Sequence, residues 1–193
     1  DPKDSDASGG DEIDATDSSN HNSGGNTNWL FGGSSLSFSI SDNTIGFAPL
    51  LAGSARFATG DGSLSTVDVE AHTLTASTTV NDGYTITVRG ATMTAGSNTI
   101  TTIGDTAATS TPGSEQFGMR IVASGGSGTA VAPYNDATDF AYNATAVTTD
   151  VIASCNTSST DTVYSMRYMG NIATLTEAGD YSTTLTYIIT ANF

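Results

Sequence analysis

Residues 181–193 read YSTTLTYIITANF. The odd-numbered positions are largely apolar (Tyr181, Leu185, Tyr187, Ile189, Ala191, Phe193). The even-numbered ones are polar (Ser182, Thr184, Thr186, Thr190, Asn192), with Ile188 the exception. Alternation with period two is the signature of a strand with one face on a core and one in solvent. A helix, with its period of 3.6, could not sort these residues to two faces. At ~3.3 Å per residue the stretch would span about 43 Å as one strand, and a strand of that length needs long neighbours. The rest of the chain is therefore expected to supply a large sheet.

Working back toward the N-terminus, the same alternation recurs in shorter pieces. Residues 34–41 (SSLSFSIS) place Leu36, Phe38 and Ile40 on one face. Residues 84–89 alternate Tyr84, Ile86 and Val88 with Thr85, Thr87 and Arg89. In residues 116–123, Phe117, Met119 and Ile121 share a face with Arg120 opposite, and residues 162–169 alternate as well. Residues 140–142 and 146–155 read as further strands. Residues 44–51 and 55–58 are weaker candidates around Pro49. Residues 67–77 alternate with a change of face part-way, which suggests a bulge and leaves His72 on the polar side. Asn81-Asp82-Gly83 is a strong hairpin signal, and Ala95-Gly96-Ser97 a second one. Residues 104–115 and 124–136 read as loops. No window of 11 or more residues has helical periodicity. Many short strands between turn signals give an all-β, antiparallel β-sandwich of two sheets, Greek-key or jelly-roll-like, over residues 34–193.

Residues 1–33 are a different kind of sequence. The first 17 hold seven acids: Asp1, Asp4, Asp6, Asp11, Glu12, Asp14 and Asp17. Ser, Asn and Gly follow with a lone His21, a composition that cannot order itself in isolation. A bound cation or a neighbouring subunit is what would pin such an extended acidic arm. Asp4-x-Asp6-x-Ser8-Gly9 matches the start of an acidic Ca²⁺ loop, but its twelfth position is Ala15 where a bidentate Glu is wanted. Two readings stand: a Ca²⁺ site drawing on Asp4, Asp6, Asp11, Glu12 and Asp14, or a solvated acidic tail. Trp29-Leu30-Phe31 then forms an apolar plug between polar runs, flanked by Gly32-Gly33, able to dock on this domain or in another subunit.

Composition narrows the function classes. Of 193 residues only 13% are charged, and Lys and Arg number five, for a net charge of −15. Five scattered cations make no basic patch, so nucleic acid and anionic membrane are disfavoured as partners. No run approaches the ~18 apolar residues of a membrane-spanning helix. Residue 1, an Asp, looks like a mature end left after signal-peptide removal, and acidity with almost no Lys suits a secreted protein. Cys155 is the only cysteine, so no intramolecular disulfide forms; a partly buried free thiol in a strand is expected. The Asn143-Ala-Thr145 and Asn156-Thr-Ser158 sequons permit N-glycosylation.

The search for chemistry yields no nucleophile elbow, no His-Glu-x-x-His and no phosphate-cradling loop before a helix. Two histidines are a poor inventory of bases, and a non-enzymatic role is expected. Trp29, Tyr134, Tyr142 and Tyr168 are candidates for a sugar-binding aromatic platform, against the plainer reading that most of them are core residues.

The stretch from Leu74 onward, with Thr78–Val88, Met93–Ile103 and Ser114–Met119, resembles secreted surface proteins of Patescibacteria. So do Tyr168–Ile172 and Thr176–Tyr187. The layout, an Asn-Asp-Gly-Tyr-Thr turn and a late Ala-Gly-x-Tyr-x-x-x-Leu-Thr-Tyr strand, is similar to WxL-type cell-wall surface domains. The Trp-x-Leu motif itself is absent, so the resemblance does not carry wall attachment. It implies a secreted, non-enzymatic β-sandwich at the cell surface and transfers no active-site residue.

From these features the expected role is a structural subunit of an extracellular, pilus-like filament or surface layer. Copies would polymerise by strand donation. The donating residues would be Trp29, Leu30 and Phe31, or Leu36, Phe38 and Ile40. The alternative is a monomeric surface adhesin or carbohydrate-binding module, with a host-surface glycan as partner.

Overall fold

The computed structural model describes residues 34–192 and, before them, the backbone of Ile13–Ala15 and Trp29–Phe31. The remaining residues of the arm, and with them Asp4, Asp6, Asp11 and Glu12, lie outside the described residues.

Among the described residues every regular element is a strand. Ahead of the sandwich, β1 (Ile13–Ala15) pairs in parallel with β2 (Trp29–Phe31) in a two-stranded sheet of their own. The sandwich begins with β3 (Leu36–Ile40), β4 (Arg56–Phe57), β5 (His72–Thr78) and β6 (Tyr84–Arg89). A small hairpin follows, β7 (Thr94–Ala95) with β8 (Asn98–Thr99). Next come β9 (Gly104–Ala108), β10 (Gln116–Gly125), β11 (Thr129–Ala130) and β12 (Phe140–Tyr142). The chain finishes with β13 (Asp150–Cys155), β14 (Ser159–Asn171) and β15 (Thr186–Ala191).

The larger sheet runs β3-β5-β14-β10-β12-β9, with β4 continuing on the edge of β14 past the end of β5. The smaller runs β11-β13-β6-β15. The inward residues of β6, Tyr84, Ile86 and Val88, are fully buried against Leu74, Ala76, Met119, Ile121, Tyr164 and Met166 of the large sheet. The fold is thus the expected all-β antiparallel sandwich. Its spine is the long pairing of β10 with β14, from Gln116 opposite Asn171 to Gly125 opposite Thr162.

Several sequence expectations need correction, each for a physical reason. The Asn81-Asp82-Gly83 turn forms, with Gly83 at φ +76°, but it does not make a hairpin. It carries the chain from β5 in one sheet to β6 in the other. Gly83 also packs against the Cys155 carbonyl, leaving no room for a Cβ. The same arch-like crossing recurs at each step from β10 to β15, so neighbours in sequence face each other across the core instead of pairing.

The change of face expected in residues 67–77 does not occur, because strand pairing starts only at His72; the register shift of this pair lies on β14, between Ser159 and Thr162, opposite Ala76–Thr78. Along β5, His72, Leu74, Ala76 and Thr78 all point inward. Residues 104–115 contain β9, and residues 124–136 contain β11 and the buried Tyr134. The long strand read in residues 181–193 is β15 alone, six residues. Its inward set, Tyr187, Ile189 and Ala191, obeys the alternation. Upstream, Ser182 makes an isolated bridge to Thr94, and Thr184 and Leu185 press onto Gly90, where a Cβ would collide with them. That segment is therefore drawn off the β6 ladder.

Candidate assembly groove and sheet edges

The two sheets do not close over each other at one end. There a groove of about 970 Å³ opens between the loop after β3 and the segment leading into β15. Ile40, Phe47 and Leu50 line one side, Leu185 and Tyr187 the other, with Tyr168 and His72 among its lining residues. Asp42, Glu177 and Asp180 bring negative charge to it. On one flank lies β15, an edge strand: among the described residues no strand pairs with its outer side. Ile188 stands 38% exposed on its outer face. The other flank is the end of β3, where Ile40 is 43% exposed.

Three polar aromatic side chains form part of this site. His72 Nε2 lies 2.7 Å from the Tyr168 hydroxyl, which in turn is hydrogen-bonded to the Tyr187 hydroxyl. The His72 ring stacks on Tyr168 at 5.7 Å and tilts against Tyr187 at 5.9 Å. Burial lowers the His72 pKa below its ordinary 6.5, more than the opposing effects of the Thr73 backbone and the Asp42 and Glu70 carboxylates raise it. Burial likewise pushes the Tyr168 and Tyr187 hydroxyls well above 10.0. All three are neutral near pH 7. The expected solvated His72 is corrected: the alternation does place it with Leu74 and Ala76, on the inner face.

The chain ends of the sandwich set its polarity. Leu36 pairs with Thr78 and Ile40 with Leu74, so β3 enters at the far end of β5 and finishes at the groove. Ser35 is bonded to Thr79 at that far end. In the other sheet Ala191 pairs with Tyr84 at the same far end and Thr186 with Arg89 at the groove end. Ser35, near the start of the described sandwich, therefore lies at the pole opposite the groove. Around its exit, Ser35, Ser77, Thr78, Thr79, Ser159 and Thr160 line a shallow hydroxyl-rich depression.

Leu36 and Phe38 are half-buried against the core and belong to a strand that borders its own sheet on β5. Trp29, Leu30 and Phe31 form β2, paired with β1; Asp14 is the middle residue of β1, and the side chains of both strands lie outside the described residues. Tyr134, Tyr142 and Tyr168 are buried to within 1% of their surface. As the plainer reading had it, they are core residues, and they form no exposed sugar platform. Cys155 is a buried free thiol in β13. Among the described residues no three His, Cys, Asp or Glu side chains converge to hold a metal.

The outer face of the large sheet carries one further charged cluster. Arg120 and Arg167 sit directly opposite each other on β10 and β14, an arrangement that would repel. Asp68 resolves it, ion-paired to Arg120 and lying 3.6 Å from the Arg167 guanidinium. Arg120 also stands over the Phe140 ring at 5.8 Å. The cluster fastens the loop before β5 onto the sheet.

Sequence reasoning did not single out Phe47 or Leu50, and it read Leu185 only as one apolar position of the last strand. The only available signal was an apolar pair flanking Pro49 in a segment too irregular to read as a strand. No protein-family model matches this chain, and neither a curated protein nor a solved structure matches it.

Proposed function

We propose that the protein is a structural subunit of an extracellular filament or surface layer, built by donation of a segment of the N-terminal arm to the next copy. The observation that supports this reading is that Ser35, to which the arm is joined, and the groove lie at opposite poles of one sandwich. A donor at one end and an acceptor at the other give a head-to-tail contact. Such a contact does not close on itself and propagates as a fibre. The free side of β15 offers a strand's worth of unpaired backbone groups beside an apolar groove, the form of surface that strand addition uses.

Composition supports the same reading. Strands rich in Thr and Ser carry little charge to repel a neighbour, and seven of the twenty acids are concentrated in the first 17 residues. The resemblance to secreted surface proteins points to the same compartment. A Ca²⁺ ion in the arm would offset its charge, and chelation would then loosen the assembly.

The test is sedimentation velocity and negative-stain microscopy of the purified chain over a concentration series, with Ca²⁺ and with EDTA. The expected result is a ladder of species growing into filaments or sheets. A single monomeric species under every condition contradicts the proposal.

A further inference from the structure

We propose that His72 is a pH-operated latch on the groove end of β15. Protonating its ring releases β15, and the segment leading into it, from the large sheet and opens the groove. The latch borders the acceptor surface of the proposed assembly, so its use in assembly rests on that reading; the latch itself belongs to the single molecule.

The device is three side chains on three strands. His72 stands on β5 and Tyr168 on β14, both in the large sheet, and Tyr187 stands on β15 in the small one. Their hydrogen bonds run in a chain from His72 Nε2 through the Tyr168 hydroxyl to the Tyr187 hydroxyl. The chain joins the two sheets beside the groove, which all three residues line.

Each hydroxyl has one proton to give. When Nε2 is bare it accepts from Tyr168, which accepts from Tyr187, and both hydroxyl protons are used. A cationic ring carries a proton on each nitrogen. Nε2 must then donate to Tyr168, Tyr168 donates to Tyr187, and the Tyr187 proton has no acceptor left in the chain. Nδ1 is buried and meets no hydrogen-bond partner among the described residues, so the cation holds an unpaired donor there as well. His72 is only 5% exposed, and a buried charge without partners is costly where it stands.

The surrounding charges draw the cation outward. Asp42, half-buried in the loop after β3, and the exposed Glu70, just before β5, both favour it. Glu177 and Asp180 lie across the groove, and no Lys or Arg is among the residues that line it. From β14 and β15 the ring meets Tyr168 and Tyr187. Arg167 of β14 is on the outer face of the sheet, beside Asp68. The far pole has a tie without a histidine: the Tyr84 and Tyr164 hydroxyls, 2.9 Å apart, also join the two sheets, where Ala191 of β15 pairs with Tyr84. Acid is therefore expected to open β15 from its groove end.

The experiment is hydrogen exchange read by mass spectrometry on the full-length chain, dilute enough to be monomeric, from about pH 7.5 to about pH 5. After correction for the intrinsic pH dependence of exchange, peptides over residues 181–188 are expected to exchange about tenfold faster at the acid end. Peptides over β10, β14 and the far-pole turn at residues 79–84 are expected to stay as they were. His72→Gln, neutral throughout, is expected to abolish the acid response; His72→Phe serves the same purpose should the first variant fail to fold. Tyr187→Phe cuts the tie without touching the histidine and is expected to speed exchange of residues 181–188 at neutral pH. A wild-type segment indifferent to acid, a response that survives in both His72 variants, or equal acceleration in β10 and β14 overturns the latch. Filaments that form without an acid response of this segment remove the latch and leave assembly standing. An acid response in a chain that never assembles supports the latch and removes the strand-donation reading.

Discussion

His72, Tyr168 and Tyr187 illustrate how burial sets charge at the level of single residues. His72 is favoured neutral in the folded state, so its folded pKa lies below the unfolded 6.5. The unfolded chain binds the proton more readily, and stability therefore rises with pH through this region. The His72 contribution is full above about pH 6.5 and is lost as pH falls toward the lowered folded value. The tyrosines act with the opposite sense. Tyr134, Tyr142, Tyr164, Tyr168 and Tyr187 all have folded pKa values raised above 10.0, chiefly by burial. Above pH 10 the unfolded chain ionises first, and stability falls. The melting temperature is expected to be level between about pH 7 and 9.5 and to drop on both sides. His72→Gln should flatten the part of the acid limb near pH 6 and leave the alkaline limb in place; an unchanged acid limb would mean that His72 does not titrate out of a buried site. The alternation from His72 onward holds the right answer, but it was masked because the strand begins at that very residue. The window read upstream, from Val67, mixed loop with strand and showed a change of face that the fold lacks. Arg120 and Arg167 posed a similar difficulty: their opposition depends on the β10–β14 register, and their counter-charge comes from a loop about fifty residues before the first of them.

Turns and strands were legible as units, and their partners were not. The strands read at residues 34–41, 84–89, 116–123 and 140–142 form as β3, β6, β10 and β12, and the Ala95-Gly96-Ser97 hairpin forms. The Gly83 turn has the residues of a hairpin, yet joins strands in different sheets. Turn chemistry specifies a reversal of the chain; whether the two arms pair or face each other depends on which apolar faces meet. The turn is nonetheless tightly specified, because Gly83 combines a left-handed backbone with close approach of the Cys155 carbonyl. Gly83→Ala is expected to destabilise the fold by about 2 kcal/mol or more, from left-handed strain plus the forced displacement of the end of β13. Urea denaturation measures this as a lowered midpoint at unchanged slope, and a midpoint equal to wild type would show that the turn relaxes freely. The last strand makes the same point from the other side. Its alternation correctly identified the inward face of β15, but not that Thr184 and Leu185 leave the ladder to pack on Gly90.

At the scale of the whole molecule, a sandwich whose chain changes sheet at successive steps places its two ends of interest at opposite poles. That placement is the basis of the proposed assembly and was out of reach of the sequence. The apolar plug at residues 29–31 and the short strand after it could be read from composition alone. The groove could not, because it is assembled from residues near 40–50, 72, 168 and 185–187, brought together only by the strand order. The most direct measurement is a cryo-electron microscopy reconstruction of the assembled wild-type protein, tracing residues 29–40 in each subunit. The account predicts that the chain leaves β3 at the pole away from the groove and that density for a segment of the arm lies alongside β15 of the neighbouring molecule. Subunits that touch through other faces, with the neighbour's groove empty, would contradict it.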